Sequence, residues 1–271
     1  MELVLTNLLL ILLGGCLGSF ASMLIYRLPL EDAGITIFKP RSFCPLCKNK
    51  LTVLQLIPFV GYIYSQGICK ACNTKINSSY LINEILIAAF VLLIFNKMEI
   101  INPSAWVIVL IVMCLYIQSL IDMQTMHLYQ PLSVILVLSG LTLNISTSFF
   151  TIPLDSLLGL VFGYGILFCI NEVYKMIRSR NGIGSGDFLL LGGVGSIFGA
   201  SAIGPILLIG SSITLCLYAT NKNKDEELPL GFGIGIGAIF YCLLFLLLST
   251  PRLMEPLVKT TRIPNFLASS T

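Results

Sequence analysis

The chain has 271 residues, of which 56% are hydrophobic and 11% charged, with a formal net charge of +3 and a mean hydropathy of +0.93. A soluble domain carries about 25% charged residues, and a globule of this size has too much surface to hide so apolar a composition. A soluble enzyme, a disordered tail and a nucleic-acid binder are therefore excluded, the last also because the basic residues form no stripe that would follow a phosphate backbone.

The composition predicts an all-α polytopic membrane protein. A crossing helix needs about 20 largely apolar residues. Eight segments qualify in chain order: 4–26, 80–96, 103–121, 130–147, 156–175, 188–201, 204–220 and 230–250. The first is read as a retained helix rather than a signal peptide, because Glu2 is its only early charge and a basic leading region is missing. The stretch from Phe188 to Asn221 carries no charge. As one helix it would run roughly 50 Å, too long for one crossing, and Gly204-Pro205 offers a break between two spans.

This count fixes an expected orientation. Arg27, Lys39, Arg41, Lys48, Lys50, Lys70, Lys75, Lys175, Arg178, Arg180, Lys222 and Lys224 fall on one side. By the positive-inside rule that side is the cytoplasm, and both termini lie outside. Arg252, Lys259 and Arg262 in the tail dissent, and the tail can instead lie along the membrane. The expected organisation is a first helix (1–26), a cytoplasmic loop (27–79), a membrane domain (80–250) and a C-terminal tail (251–271).

Loop 27–79 contains Cys44-Pro45-Leu46-Cys47 and Cys69-Lys70-Ala71-Cys72. Two such pairs at this separation present four thiolates to one zinc ion, as a closed structural site. A loop this short builds little core of its own, so metal binding would supply much of its folding energy. Two disulfides, or four unrelated thiols, are the alternatives; disulfides are rare in the assigned compartment. Cys16, Cys114, Cys169, Cys216 and Cys242 lie in spans and read as small apolar packing residues.

Ionisable groups in spans are costly and point to function by default. Several have ordinary explanations here. Asp155 suits a helix cap, Glu84 a salt bridge to the basic loop, and Glu172 a pair with Lys175. His127, the only histidine, has no marked nucleophile beside it and reads as a bystander. Asp122 and Asp187 differ. Asp122 ends a charge-free run beginning at Ile100, and Asp187 opens another after Gly182-Ile183-Gly184-Ser185-Gly186. By span parity both lie at the cytoplasmic face. Two carboxyls brought together share a proton, the arrangement by which one carboxylate activates water while its protonated partner polarises a scissile carbonyl. The plain alternative is that Asp187 caps one span and Asp122 merely ends another.

These residues resemble the type IV prepilin peptidase (leader peptidase/N-methyltransferase) family, and the likeness covers most of the chain. Its markers are Gly18-Ser19-Phe20, Arg27-Leu28-Pro29, Pro40-Arg41-Ser42, both cysteine pairs, Ile57-Pro58, and Tyr80 with Glu84. Asp122 stands in the place of the family's first catalytic aspartate, Gly184-Ser185-Gly186-Asp187 resembles its GxGD motif, and Leu228-Pro229-Leu230-Gly231 its later Pro-x-Gly turn.

The resemblance implies a membrane aspartic endopeptidase with Asp122 and Asp187 as its dyad. It implies cleavage of type IV prepilins and pseudopilins after the glycine that ends a basic leader, at the cytoplasmic face of a bacterial inner membrane. It also implies N-methylation of the new terminus with S-adenosylmethionine, associated with the cysteine-loop region. Two positions depart from the pattern: Leu189 replaces a frequent Lys, and Tyr129-Gln130 a frequent Pro-Asp. The rivals are a presenilin-like protease for other membrane substrates, which would lack the cysteine loop, and an ion-coupled transporter or assembly scaffold. Two interactions are also expected: the basic loop with anionic lipid, and the acidic run Asp225-Glu226-Glu227 with the leader.

Overall fold

A computed structural model describes residues 2–33, 35–98, 100–220 and 229–248, and all its regular elements are helical apart from two isolated β-bridges. In chain order they are α1 (Glu2–Arg27), a 3-10 turn (Leu28–Ala33), α2 (Val53–Leu56), α3 (Val60–Tyr64), α4 (Ser79–Lys97), α5 (Pro103–Thr125), α6 (Gln130–Thr147), α7 (Pro153–Arg178), α8 (Ser185–Phe198), α9 (Ala200–Thr220) and α10 (Leu230–Leu248). Lys222, Lys224, the acidic run 225–227 and the tail 251–271, with Arg252, Lys259 and Arg262, lie outside the described residues.

Among the described residues, seven helices are long and apolar enough to cross a membrane. The eighth expected segment, 188–201, is α8, a shorter apolar helix of 14 residues. At about 1.5 Å per residue it measures roughly 21 Å, short of the roughly 30 Å hydrocarbon layer. Yet α8 is the most enclosed helix. Phe188 and every residue from Leu190 to Phe198 are buried, as befits a helix apolar on all sides. It packs on α7, α6, α9 and α10.

The break in the charge-free stretch also lies elsewhere than expected. It falls at Gly199, with φ +86, and Pro205 sits inside α9. The left-handed backbone at Gly199 is what selects the residue. Asp155, in the first turn of α7, stabilises this junction: it accepts the Thr151 hydroxyl at 2.7 Å and the Ala200 N–H at 3.4 Å. Its carboxylate therefore serves the start of α9. Pro205 falls one turn into that helix, where its missing N–H costs one bond near the end.

The bundle has two parts joined through α5. In one, α1 lies against α4. Gly14 and Gly18, four apart, let the backbones meet, since side chains there would strike Ala88 Cα at 2.5 Å and Glu84 Cα at 2.6 Å. This small-xxx-small spacing is a membrane-helix packing signal. In the other part, Gly159 of α7 and Gly195 of α8 bring backbone against backbone. Buried Asn144 of α6 donates to the carbonyls of Ser196 (3.0 Å) and Ile197 (2.8 Å) and accepts from the N–H groups of Phe150 and Thr151. Glu172 pairs with Lys175 at 3.8 Å, as expected from their spacing.

Candidate active site and cysteine cluster

Asp122 lies in the last turn of α5, only 5% exposed. Its Oδ2 accepts the Phe232 N–H at 2.8 Å and is also bonded by the Gly231 backbone. These N–H groups belong to the first turn of α10, which has no intrahelical acceptors for them. The sequence offered Asp122 no cation; its partner is the positive end of a helix dipole. Gly231 leaves the room: a Cβ there would stand 3.0 Å from Asp122 Oδ2 and 3.0 Å from both δ-carbons of Leu128.

Asp187 lies in the first turn of α8. The turn before it is held by Asn171 of α7, whose Oδ1 accepts the N–H groups of Gly182 (2.9 Å) and Ile183 (3.0 Å). Gly184 is the N-cap, and the Asp187 side chain bonds back to its backbone. A Cβ on Gly186 would come within 2.9 Å of Leu128 Cβ. Leu128 thus touches the neighbours of both carboxyls, and the charge of Asp122 is felt at Asp187. Asp187 Oδ1 is buried without a hydrogen-bond partner, alone in this among the described side chains. Such an atom is costly to leave unpaired, so it marks a place where a polar group fits.

His127 is exposed, with Nδ1 2.7 Å from the Thr125 carbonyl, and does not form part of the pair's hydrogen bonding. Leu189 is half-buried on α8, and the Tyr129 carbonyl accepts from Gln118. Asn171 and Phe232 were not singled out from the sequence. An amide inside an apolar helix was the available signal for Asn171; a backbone donor carries none.

The four loop cysteines converge, with every Sγ within 4.8 Å of the others. Cys44 and Cys72, and likewise Cys47 and Cys69, stand 4.0 Å apart. All nine cysteines are free thiols, so the disulfide alternative fails. Each knuckle turns tightly through a left-handed residue, Lys48 (φ 59) or Asn73 (φ 57), and is closed by a β-bridge. A tetrahedral site with Zn–S of about 2.3 Å has sulfurs about 3.8 Å apart, so the quartet fits a metal ion of that kind. The thiols are shifted in opposite directions: Cys72 and Cys44 lie below the ordinary value, whereas Cys47 is pushed up to about 11, where desolvation and the neighbouring cysteine thiols outweigh the Asn49 backbone. The Thr74 hydroxyl, 2.9 Å from Cys72 Sγ, and the Thr74 backbone bring that thiol down to about 6. The Cys47 backbone N–H likewise lowers Cys44. Of the span cysteines, Cys114 and Cys242 are buried as expected, whereas Cys16, Cys169 and Cys216 are exposed on the bundle surface.

Glu84 does not form the expected salt bridge. Its Oε2 accepts the Phe59 N–H at 2.7 Å and its carboxylate also bonds Ser19, tying loop to helix. A backbone amide satisfies a carboxylate at 9% exposure at lower desolvation cost than burying a second full charge. Arg27 is also buried and donates to the carbonyls of Thr36 (3.0 Å), Ile37 (2.9 Å) and Pro40 (2.7 Å).

A polytopic helical bundle with two carboxyls whose neighbours meet at Leu128, and a four-cysteine knuckle that could hold a metal ion, points to a class: a membrane-embedded enzyme. Residues 12–98 match the bacterial peptidase A24 N-terminal domain, and residues 108–220 the type IV leader peptidase family. The prepilin leader peptidase/N-methyltransferase of Neisseria gonorrhoeae is 32% identical over 226 residues, 74% of this chain and 77% of that protein. Its counterpart in Burkholderia pseudomallei strain K96243 is 30% identical over 245 residues (80% and 78%), and that of Klebsiella pneumoniae 31% over 206 (74% and 89%). No solved structure gives a significant match. The chain belongs to the type IV leader peptidase family and is an enzyme of it.

Proposed function

We propose that the protein cleaves the basic leader from type IV prepilins or pseudopilins at the cytoplasmic face of a bacterial inner membrane, with Asp122 and Asp187 as its catalytic pair. The observation that carries this is that Leu128 packs against the glycines beside both carboxyls, Gly231 and Gly186, with Asp187 Oδ1 buried and unpartnered. The pair shares one proton. The negative charge rests on Asp122, where the α10 N-terminus stabilises it, and Asp187 carries the proton. Asp122 takes a proton from water as the water attacks the carbonyl carbon of the scissile bond. Asp187 donates its proton to the carbonyl oxygen. The resulting tetrahedral species collapses when the leaving amine is protonated.

The basic residues of the cysteine loop favour placing this end in the cytoplasm. The substrate's apolar segment lies in the lipid beside the bundle, with its leader junction at the pair. Cys44, Cys47, Cys69 and Cys72 hold a structural zinc ion, which ties the two knuckles together. The relatives' names also include N-methyltransferase, and we take the chain to methylate the new N-terminus with S-adenosylmethionine.

The test is cleavage of a purified prepilin bearing a Gly-Phe junction by wild type, Asp122→Asn and Asp187→Asn. Each variant is expected to lose roughly a thousandfold or more in kcat, with helical content unchanged. Full activity in either removes that aspartate from the reaction. Mass spectrometry of the product's N-terminus reads methylation in the same assay.

A further inference from the structure

The basic cysteine loop contains an uncharged interval: no charged residue falls between Lys50 and Lys70. This interval carries α2 and α3, and it is anchored along the sides of two long helices. The Phe59 N–H binds Glu84 of α4, and a Cβ on Gly15 of α1 would strike the Phe59 ring at 2.6 Å and Pro58 at 2.9 Å. We propose that residues 52–64 form a re-entrant segment inserted in the membrane, with an outer apolar face that contacts the acyl chains of the leaflet in which α4 begins. The inference needs α1 and α4 to cross the bilayer and is independent of the chemistry proposed above.

The register of α1 against α4 gives the depth. Gly14 meets Ala88 and Gly18 meets Glu84, so the two helices run antiparallel with Met23 level with Ser79. With 19 residues, α4 is about 28 Å long. That is close to the roughly 30 Å hydrocarbon layer, so the whole helix is needed to cross and Ser79 marks the layer's edge. Glu84 is five residues inside that edge, about 8 Å. On α1, Gly15 is eight residues inside it, about 12 Å. The Phe59 backbone and ring therefore lie below the headgroups, where interfacial helices bury their apolar faces by about 5–10 Å.

The surface agrees with that depth. Val60, Ile63 and Tyr64 share one face of α3 by their spacing, and with Val53 and Leu54 of α2 they are 48–70% exposed. The other side of α3, with Gly61, Tyr62 and Ser65, turns to a cavity against α1 and α4. An apolar outside over a more polar inside suits lipid and not water. Ile82, Ile85 and Leu86 of α4 are exposed at about the same level, so the face continues that of the span. Lipid offers no hydrogen bonds, so irregular backbone at this depth must be satisfied within the protein. The N–H groups of Gln55, Gly61 and Ile63 donate to the carbonyls of Thr52 (3.1 Å), Ile57 (2.8 Å) and Phe59 (3.2 Å). Phe59, at the left-handed bend (φ 63), donates to Glu84 at 2.7 Å. The Lys70 ammonium stands 3.4 Å from the centre of the Tyr64 ring, an arrangement suited to the level where anionic headgroups begin.

The test uses the full chain in lipid vesicles, with Trp106→Phe removing its single tryptophan. One new tryptophan is then introduced by Ile63→Trp, by Val60→Trp or, as a control at an exposed polar residue of the first knuckle, by Asn49→Trp. Emission is read in lipid brominated high on the acyl chain and, separately, with aqueous iodide. Ile63→Trp and Val60→Trp are expected to emit at shorter wavelength than Asn49→Trp, to lose most of their intensity in the brominated lipid and to be protected from iodide. Asn49→Trp should show the reverse. Equal iodide quenching in all three variants places the face in water and overturns the proposal. Protection from both quenchers overturns it too, since the face is then covered by protein, whether a second copy or the apolar segment of a substrate. Wild type supplies a readout that no misfolded variant can spoil: lipid with a diazirine on its acyl chain is crosslinked by light and mapped by peptide. Label within residues 52–64 is expected, and label confined to the seven long helices overturns the insertion.

Discussion

Replacing Gly231 with Ala tests whether the backbone of α10 sets the position of the Asp122 carboxyl. Helix propensity favours the change, since Ala is better than Gly by about 1 kcal/mol, so harm can come only from crowding. The added methyl would stand 3.0 Å from Asp122 Oδ2 and from both Leu128 δ-carbons. Ordinary carbon contacts lie near 3.5–4.0 Å, so something must move by roughly half an ångström. Leu128 has little retreat, because Gly186 closes on its other side with a Cβ position only 2.9 Å away. The displacement therefore falls largely on Asp122 and its bond to Phe232. A misplacement of about 1 Å costs on the order of 100-fold in rate, so kcat for prepilin cleavage should drop roughly 10- to 100-fold with little change in KM. Single-turnover cleavage reads this directly. Gly165→Ala, where nothing lies within 4 Å, is the control and should be neutral. Adding Leu128→Ala should restore part of the rate. Wild-type kcat in Gly231→Ala would refute the idea that this contact positions the carboxyl.

Other consequences follow from the same contacts. Thr74 holds the Cys72 thiol at about 6 against an ordinary value of 9.0, so its thiolate contribution is complete above pH 9 and is lost as pH falls through 6. Thr74→Val should raise the thiol and move acid release of zinc to higher pH, as read with a chromogenic chelator; an unmoved midpoint would show that the hydroxyl does not matter. Cys44→Ser should abolish stoichiometric zinc, measured by elemental analysis, because three ligands leave the tetrahedral site open. Asn144→Ala removes four hydrogen bonds to backbone groups, besides a longer one to Ser156. At about 0.6 kcal/mol each in a membrane bundle, this predicts a loss of roughly 2 kcal/mol in detergent unfolding, while the folded fraction cleaves normally. Asn171→Ala should instead impair cleavage more than stability, because its carboxamide holds the turn that presents Asp187; a variant with full activity would remove Asn171 from the positioning of that turn.

Composition and local pattern alone determined the membrane class, most helix positions, the cysteine quartet and the two aspartates. These depend on short-range facts: apolar runs need lipid, paired knuckles need a shared ion, and a carboxyl beside a long uncharged stretch has few excuses. The glycines at 14 and 18 carried a packing signal of the same local kind. The tertiary structure decided what needed partners distant in the chain. Whether a span is full length depends on what surrounds it, and α8 can be 14 residues because other helices cover it. The break fell at Gly199 because Asp155, 45 positions before Ala200, receives the new helix there. Glu84 found an amide in place of a cation. Asp122 found the start of α10, 110 residues away, whose donors are backbone atoms common to every residue. Sequence names side chains; it does not mark which backbone N–H groups a fold leaves free, and this site is built on two of them.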